Sequence, residues 1–238
     1  MGKGSARVSS GVRTAIRGVG QTLITVGVLL LLYVVWSLWF TGIGTAREQN
    51  ALYADLSDLW GSLQTGDVPL EEVEIGDGIA IMRIPRFGAE WHPVVVEGTG
   101  REELKTGPGH YVDTAMPGEI GNFSVAGHRT TYGAPFNRLD EMRDGDPIVV
   151  ETATAWYTYD VTEVHIVLPT DVEVVAPVPG RPGETPTEAL LTLTTCHPEY
   201  SSRERLIVHA ELVDTRDQDT GPPPVLTDPD SYAREGVS

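Results

Sequence analysis

The sequence predicts an all-β domain with minor helices, preceded by a long apolar helix and followed by a polar tail. Between residues 79 and 212, seven runs rich in β-branched residues are separated by Gly, Pro, Asp and Asn, which is the pattern of short strands joined by turns. A run of twenty residues without a charge comes before this region, and a proline-rich acidic segment follows it. Seven or eight short strands in one domain are typical of a small antiparallel or mixed barrel.

Residues 21–40, QTLITVGVLLLLYVVWSLWF, are predicted to form a transmembrane helix. At roughly 1.5 Å per residue the run reaches about 30 Å, the hydrocarbon thickness of a bilayer. Trp36, Trp39 and Phe40 lie at its far end, where aromatic side chains favour the membrane–water interface. A cleaved signal peptide is the alternative, but the apolar regions of signal peptides are shorter, about 7–15 residues. A core helix of a soluble protein is poorly supported, because no other segment is apolar enough to cover it.

The charges divide the chain at the same place. Residues 1–20 hold four basic residues and no acid, so the positive-inside rule predicts a cytoplasmic basic tail. The main domain is then extracytoplasmic, on a single-pass protein of the cell membrane. Residues 41–238 carry a formal net charge of −21, because the whole chain is at −17 and the first forty residues contribute +4. This domain would repel nucleic acid, and the sequence has no basic patch that would bind it.

Residues 41–78 are predicted to be an extracytoplasmic helical stalk or linker. Between residues 45 and 64, apolar side chains recur at spacings of three and four, which places them on one face of an amphipathic helix. The members of this face are Leu52, Leu56, Leu59, Trp60 and Leu63. Such a helix is either a stalk that packs on the domain or lies on the membrane surface, or a helix that covers part of the core.

The barrel itself is expected over residues 79–213. The strand-like runs are AIMRIPRFG, HPVVVEG, NFSVAGH, DPIVVET, AWYTYDVTEVHIVLP, ALLTLTTC and RLIVHAEL. Two further segments, REELKTG and PFNRLDEMRDGD, have the pattern of short helices. Residues 171–188 form a loop rich in Pro and Gly directly before the cysteine strand, where a loop can serve as the wall of a binding site. Residues 214–238 are acidic, rich in proline and poor in apolar side chains, and are predicted to be disordered.

Cys196 is the single cysteine of the chain and cannot form an internal disulfide. In ALLTLTTC, the alternation of a strand puts Leu191 and Leu193 on the core face. Thr194 and Cys196 then lie on the opposite, partly polar face. A thiol with basic residues nearby is of the kind that ionises and reacts, which makes Cys196 a candidate nucleophile. The alternative is a buried cysteine that acts as a small hydrophobic residue.

The same alternation places two more reactive side chains. His128 at the end of NFSVAGH and Arg205 at the start of RLIVHAEL lie on the less apolar faces of their strands. If the three strands adjoin, a thiol, an imidazole and a guanidinium converge on one groove. Together they suit acyl transfer, because a thiolate attacks a carbonyl, an imidazole protonates the leaving amine and an arginine stabilises the oxyanion. His197 points to the other face, and Arg203 lies in the loop between the strands, where solvation is expected.

Several of these segments resemble the sortase family of extracytoplasmic cysteine transpeptidases. The resemblance covers residues 79–213 and rests on TLTTC followed by RLIV, with GHR after an earlier strand. RIPRFG, VVVEGTG, GHYVDTAMPGEIGNFSVAGHR and NRLDEMRDGD extend it. The continuation Cys-His-Pro and the segment RLIVHA resemble most the class E housekeeping sortases of actinobacteria. The Asp-Pro-aromatic lid of the class C enzymes is absent from the sequence between residues 41 and 79.

The resemblance implies an eight-stranded β-barrel, with Cys196 as nucleophile, His128 as the histidine and Arg205 as the arginine of the site. It implies a membrane-anchored transpeptidase that cleaves a C-terminal sorting signal between Thr and Gly through a thioacyl-enzyme. The signal would be of the Leu-Ala-x-Thr-Gly or Leu-Pro-x-Thr-Gly type, with a preference for the former. Tyr111 and Thr194 are the predicted residues of the substrate groove.

The partners that the resemblance implies are surface proteins with a sorting signal and a peptidoglycan precursor of the lipid II type, which supplies an amine acceptor. The lipid bilayer is a further partner through residues 21–40. Two alternatives stay open: an exported cysteine endopeptidase that only hydrolyses, and a catalytically inert surface adaptor.

No metal or other cofactor is expected. One cysteine and scattered histidines lack the spacing of a metal-ligand set. Some sortases use calcium, and the acids that hint at it here are Glu119, Asp171 and Glu173. Acids in loops are usually solvated, so this hint is weak.

Overall fold

The computed structural model describes residues 10–65 and 73–228. The chain divides at Thr41 into two compact units. Helix α1 (Ser10–Thr65) begins in the first unit and continues into the second. Residues 1–9, half of the predicted basic tail, and residues 229–238 lie outside the described residues.

The first unit contains one stretch, Arg13–Trp36, that is long and apolar enough to cross a membrane. None of the hydrophobic span is buried within the protein, and side chains such as Leu31 are two-thirds exposed. Lipid would cover this surface, since water is an unfavourable solvent for so many apolar side chains. The stretch overlaps the predicted span of residues 21–40 and fits a single-pass membrane anchor.

The second unit is built around a closed barrel of eight strands. These are β1 (Gly78–Arg83), β2 (Val94–Glu97), β3 (Gly109–His110), β4 (Gly121–Ala126), β5 (Pro147–Glu151), β6 (Ala155–Val167), β7 (Ala189–His197) and β8 (Glu204–Asp217). Around the barrel they run in the order β1-β2-β3-β4-β7-β8-β6-β5. The pairs β2–β3 and β4–β7 are parallel and the others are antiparallel. The predicted mixed barrel with eight strands is confirmed.

Strand β3 is the one strand that the sequence pattern does not reveal. It has two residues, Gly109 and His110, which pair with β2 on one side and β4 on the other. A Cβ atom at Gly109 would lie 2.1 Å from the carbonyl oxygen of Gly98, so this backbone approach requires glycine. A segment of this length has no side-chain alternation of its own, and its partners alone define it as a strand.

The interior of the barrel is filled by alternate residues of the strands, as the pattern predicts. On β4 and β7, for example, Phe123 and Leu191 are fully buried. The predicted helix REELKTG contains α2 (Glu103–Thr106). The predicted helix PFNRLDEMRDGD is a single 3₁₀ turn over Leu139–Glu141, and its apolar residues Phe136, Leu139 and Met142 are buried in the core.

The C-terminal part of α1 covers part of the barrel. Leu56 and Trp60 are buried in a cluster with Ile81 of β1 and Val94 of β2. This corresponds to the interpretation of residues 45–64 as a helix that covers the core. Leu59 was expected on the same face but is 44% exposed. The side chain of Leu63 is not among those that the structure describes.

The prediction of a disordered tail from residue 214 is wrong for its first part. Strand β8 extends to Asp217, where Arg216 lies opposite Trp156 and Asp217 opposite Ala155 of β6. A 3₁₀ turn over Gln218–Thr220 and helix α3 (Pro224–Thr227) follow. Both faces of this strand end are polar, so the sequence carries no alternation, and the backbone ladder with β6 is what holds it.

Candidate active site

Cys196 and Arg205 lie directly opposite each other at the end of the barrel where β7 turns into β8. The antiparallel register pairs Cys196 with Arg205 and His197 with Glu204. Residues that lie opposite in an antiparallel pair project to the same face of the sheet, with Cβ atoms about 4.5–5.5 Å apart. The thiol and the guanidinium therefore share one face, as the sequence predicts. Cys196 is free and half-buried.

His128 follows the end of β4, the strand on the other side of β7. In the parallel register Ala126 lies beside Thr194, and the Gly127 N–H donates to the Thr194 carbonyl at 3.0 Å. The Thr195 hydroxyl donates to the Gly127 carbonyl at 2.8 Å, which holds the two strand ends together. Continuing this register by two residues brings His128 beside Cys196. The fold therefore places the predicted cysteine and arginine on β7 and β8, and the predicted histidine directly after the end of the neighbouring strand β4.

The environment of His128 favours its neutral form. Burial lowers the pKa of His128, because a partly desolvated imidazolium loses hydration. Its ring lies 5.2 Å from the ring of Tyr132, centroid to centroid. An imidazole of this kind is ready to accept a proton at neutral pH.

The two arginines of the β7–β8 loop differ in their surroundings. Arg205 is half-buried and its Nη1 donates to the carbonyl oxygens of Ser202 at 3.0 Å and Glu204 at 2.9 Å. These bonds use one nitrogen, so within the described chain the donors on Nη2 and Nε have no partner. Arg203 is exposed and bonds to the hydroxyl of Ser201. The preference for Arg205 over Arg203 agrees with these positions.

Arg129 is a site residue that the sequence interpretation missed. It directly follows His128, is buried to 4% exposure, and pairs with Asp140 at 2.9 Å. Its Nη1 reaches the Cys196 carbonyl oxygen at 3.5 Å and Nδ1 of His197 at 3.2 Å. Because an arginine only donates, His197 accepts this hydrogen bond on Nδ1. Arg129 thus ties the histidine loop to the backbone of the cysteine. An arginine next to a candidate catalytic histidine was the available signal.

The two predicted groove residues lie in contact. The hydroxyl of Tyr111 lies 3.1 Å from Oγ1 of Thr194, two residues before Cys196 on the same face of β7. Tyr111 is half-buried and Thr194 is 5% exposed. The segment after β3 therefore closes over β7 next to the thiol.

A buried polar network connects the same face of β7 to the long loop between β6 and β7. Thr192 is fully buried and donates its hydroxyl hydrogen to Oδ1 of Asn122 at 2.8 Å. Nδ1 of His209 lies 2.9 Å from the same hydroxyl, and must be the donor since that hydrogen is already used. The Asn122 amide donates to the loop carbonyls of Val174 at 3.3 Å and Ala176 at 2.9 Å.

Burial, and to a smaller extent the neighbouring His165 ring 5.1 Å away, lower the pKa of His209 to about 4. His209 is therefore neutral at pH 7 and belongs to the network rather than to the cysteine. This agrees with its distance from Arg205 along β8, about 13 Å at roughly 3.3 Å per residue.

The three acidic residues considered as calcium ligands, Glu119, Asp171 and Glu173, do not form a common site. Glu119 accepts the N–H of Met116, and Asp171 accepts the N–H of Leu168, so both serve local turns. Across residues 10–65 and 73–228, no three His, Cys, Asp or Glu side chains form a group that could hold a metal ion.

A half-buried thiol opposite an arginine, with a histidine after the neighbouring strand, is the arrangement that suits a cysteine enzyme of the acyl-transfer class. Residues 82–213 match the family model of the sortase domain. This match covers more than half of the chain, and the chain belongs to the sortase family, whose members are cysteine transpeptidases.

The relatives agree with class E. The chain is 36% identical over 243 residues to sortase SrtE2 of Streptomyces coelicolor, covering 94% of this chain and 93% of the relative. It is 35% identical over 228 residues to sortase SrtE1 of the same species, covering 93% of this chain. The chain spans only 64% of the length of SrtE1.

A solved structure with a similar fold is sortase E from Streptomyces avermitilis. It is 47% identical to this chain and superimposes with a TM-score of 0.59, covering 64% of this chain and 99% of that one. The likeness spans nearly the whole of that solved chain.

Proposed function

We propose that this protein is a membrane-anchored transpeptidase of the class E type. It would cleave a Leu-Ala-x-Thr-Gly or Leu-Pro-x-Thr-Gly sorting signal between Thr and Gly and transfer the new carboxyl group to an amine of a peptidoglycan precursor. The observation that carries the proposal is the pairing of Cys196 with Arg205 in register, with His128 at the end of the neighbouring strand.

In the first half-reaction the Cys196 sulfur, as thiolate, attacks the carbonyl carbon of the threonine. Negative charge develops on the carbonyl oxygen, and the unused donors of Arg205 stabilise it. His128, as imidazolium, protonates the leaving glycine nitrogen, the C–N bond breaks, and a thioester with Cys196 remains. Because burial lowers the pKa of His128 and favours its neutral form, the imidazolium that this step needs is the minority form of the ring at neutral pH.

In the second half-reaction a primary amine attacks the thioester carbonyl. The amine nitrogen loses a proton to neutral His128, the C–S bond breaks, and the sulfur leaves as thiolate. An amide bond joins the two substrates and the protonation states of the free enzyme return. A surface protein with a sorting signal and a lipid II-type precursor are the proposed substrates.

The groove for the sorting signal would lie over the face of β7 that ends at Cys196. Tyr111 and Thr194 line this face beside the thiol, and the contact between their hydroxyls supports a common role. The loop that Asn122 fixes through Val174 and Ala176 would form one wall.

The proposed topology places the N-terminus in the cytoplasm and the barrel outside it. The four basic residues before the uncharged run of residues 21–40 support this orientation. The test adds one cysteine at the N-terminus of the Cys196→Ala variant, so that it is the single thiol of the chain. A thiol reagent that does not cross membranes is then applied to sealed vesicles of known orientation. Labelling only from the cytoplasmic side supports this topology.

Transpeptidation is tested with the full chain in detergent and a peptide that contains Leu-Ala-x-Thr-Gly, with and without triglycine. We expect an aminolysis product that carries triglycine after the threonine. A product that is only ever hydrolysed, at any triglycine concentration, would support the exported endopeptidase instead. Identical peptide turnover and thiol labelling in wild type and Cys196→Ala would support the inert adaptor.

A further inference from the structure

The second unit contains a cavity of about 270 Å³ that the proposed groove for the sorting signal does not use. Its walls come from four parts of the chain: α1 between Thr45 and Tyr53, residues 90–93, residues 107–108, and residues 132–135. Neither Tyr111 nor Thr194 belongs to its lining. Its volume is close to the lower end of the range for ligand pockets, about 300–1,000 Å³.

The cavity is a built feature, because its walls are fixed by specific bonds. Nε2 of Gln49 donates to the carbonyls of Val94 at 3.1 Å and Thr106 at 2.9 Å, and its Oε1 accepts the Val94 N–H at 2.7 Å. Trp91 donates from its indole to the Pro135 carbonyl at 3.1 Å. A Cβ atom at Gly107 would lie 2.2 Å from the Gln49 amide, so this contact needs glycine.

One residue joins the cavity to the candidate active site. Tyr132 lines the cavity, and its ring lies 5.2 Å from the ring of His128. Tyr132, Gly133 and Ala134 all have positive φ values, 51°, 73° and 47°. This conformation is costly for a tyrosine, on the order of 1–3 kcal/mol, and persists only where the surroundings hold it. The loop after β4 therefore holds an aromatic ring between the imidazole and the cavity.

The lining has the chemistry of a site for an amine. Aromatic rings from Tyr53, Trp91 and Tyr132 surround it, and Glu90 is an exposed carboxylate at its edge. None of the lining residues is Lys or Arg. A carboxylate beside aromatic faces attracts an alkylammonium group, by charge and by cation–π interaction. The one lining residue that can carry a positive charge is His92, whose ring lies 5.6 Å from the ring of Tyr53.

We propose that this cavity binds the incoming amine substrate, a peptide segment that bears a primary amine. The inference rests on the proposed transpeptidase function. The amine must lose a proton when it attacks the thioester of Cys196, and His128 is the base that accepts this proton. A peptide held in the cavity would reach His128 past Tyr132, through residues that are not those of the Tyr111–Thr194 groove. The two substrates then occupy separate sites that share no lining residue among Tyr111, Thr194 and the walls of the cavity.

The step balances without any further reactant. The nitrogen–carbon bond forms, the carbon–sulfur bond breaks, and one proton moves from nitrogen to His128 and then to the sulfur of Cys196. Glu90 holds the cationic form of the amine at the mouth; this form releases one proton to water, and the resulting neutral amine is the nucleophile whose remaining proton passes to His128.

The test uses two alanines on the same exposed helical segment. Ala46 lines the cavity, whereas Ala51 is exposed on α1 and does not line it. Full-length wild type, Ala46→Phe and Ala51→Phe are given the sorting peptide and increasing concentrations of three amines. These are triglycine, which offers an α-amine; Nα-acetyl-lysine amide, which offers a side-chain amine; and hydroxylamine, which is too small to need a pocket. Mass spectrometry follows both the thioester and the aminolysis product.

We expect Ala46→Phe to raise the KM for a peptide amine by about tenfold, through steric filling of the cavity. The KM for hydroxylamine stays at the wild-type value, and Ala51→Phe behaves as wild type. A larger shift for triglycine identifies an α-amine substrate, and a larger shift for the lysine derivative identifies a side-chain amine. Glu90→Gln raises the same KM by about fivefold, whereas Glu211→Gln, an exposed carboxylate on β8, has no effect.

Unchanged KM values for both peptide amines in Ala46→Phe and Glu90→Gln overturn the cavity as the amine site, while thioester formation still supports the proposed function. A wild-type chain that forms no thioester overturns the proposed function, and this inference with it. Should Ala46→Phe fail to fold, Glu90→Gln alone decides, since it changes one exposed side chain.

Discussion

The two ends of one face of β7 differ in what their polar atoms do. At Thr192 the face is closed: the hydroxyl is fully buried and bonded to Asn122 and His209. At Cys196, four residues further along, the face is open: the thiol is half-buried and lies opposite Arg205, which retains unused donors. Alternation along the strand is the same at both ends, and the neighbouring loops make the difference.

This comparison separates groups that hold the site from groups available to a substrate. Polar atoms at the closed end have protein partners, which fix the strand and the loop between β6 and β7. At the open end, the Cys196 thiol and the Nη2 and Nε donors of Arg205 have no hydrogen-bond partner among the described residues. A bound substrate can supply these partners. Thr194 lies between the two, 5% exposed and in contact with Tyr111.

The largest effect is expected at the open end. Arg205→Ala should lower the rate of thioacyl formation by at least about 10²-fold, the usual scale for the loss of an oxyanion stabiliser. Arg203→Ala should leave this rate within about twofold, because Arg203 is exposed and bonds only to Ser201 among the described residues. Single-turnover kinetics on both variants measure it. Equal effects of the two substitutions would contradict the assignment of Arg205 as the oxyanion stabiliser, which rests on its pairing with Cys196 across β7 and β8.

Arg129 should show a smaller effect, of the kind expected from a positioning residue. Arg129→Ala removes the bonds to the Cys196 carbonyl and His197, and kcat should fall by about tenfold with little change in KM. Arg129→Lys should restore part of kcat, since a lysine keeps the charge and some donors. The matched control is Asp140→Asn, which removes the exposed partner of Arg129 but leaves these bonds. A rise in KM with unchanged kcat would place Arg129 in substrate binding instead.

At the closed end, Asn122→Ala should act through the loop. It leaves the carbonyl of Ala176 without its donor and that of Val174 with only the Thr192 hydroxyl, 3.4 Å away, which costs about 1–3 kcal/mol of folding free energy. Amide hydrogen exchange over residues 168–188 should become faster, and the KM for the sorting peptide should rise by several fold. The control is Thr192→Val, which alters the same buried part of the barrel but leaves the bonds from the Asn122 amide to Val174 and Ala176. Unchanged exchange in Asn122→Ala would mean that the network does not hold the loop.

The last effect concerns how the stability of the fold, rather than the reaction, depends on pH. His209 has a pKa of about 4 in the folded chain against 6.5 for an ordinary histidine. Between these values the unfolded chain binds a proton that the folded chain does not, so stability is lost as pH falls from about 6.5 towards 4. The contribution is about 2 kcal/mol, since the ring is partly exposed.

His209→Gln keeps an amide donor for Thr192 but does not titrate. Its unfolding midpoint in urea should therefore change less than the wild-type midpoint between pH 7 and pH 4.5. Parallel curves for the two proteins would contradict the lowered pKa of His209.

The sequence predicts the open end well, because strand alternation is a local property. Cys196, Thr194 and Leu193 occupy the faces that the pattern assigns, and the loop of eight residues between Cys196 and Arg205 is short enough to bring the next strand back in register. The closed end is harder to predict. His209 and Thr192 are seventeen residues apart and Asn122 is seventy residues from Thr192, so only the folded barrel reveals their contact.

The same reason explains what was missed elsewhere. Arg129 acts on the cysteine backbone sixty-seven residues away, and β3 is a strand only because β2 and β4 flank it. The cavity draws its walls from four separate segments and leaves no local pattern. Hydrophobic periodicity can be recognised in the sequence, whereas the long-range hydrogen bonds of the site cannot, because they join residues that are distant along the chain.

The most direct test of the central assignment is to trap the acyl-enzyme. Full-length protein is mixed with a Leu-Ala-x-Thr-Gly peptide, quenched in acid within one turnover, digested and sequenced by mass spectrometry. The account predicts one adduct, on the peptide that contains Cys196, with the mass of the sorting signal up to its threonine, and no adduct in Cys196→Ala. An adduct on another residue, or product formation by Cys196→Ala at the wild-type rate, would contradict it.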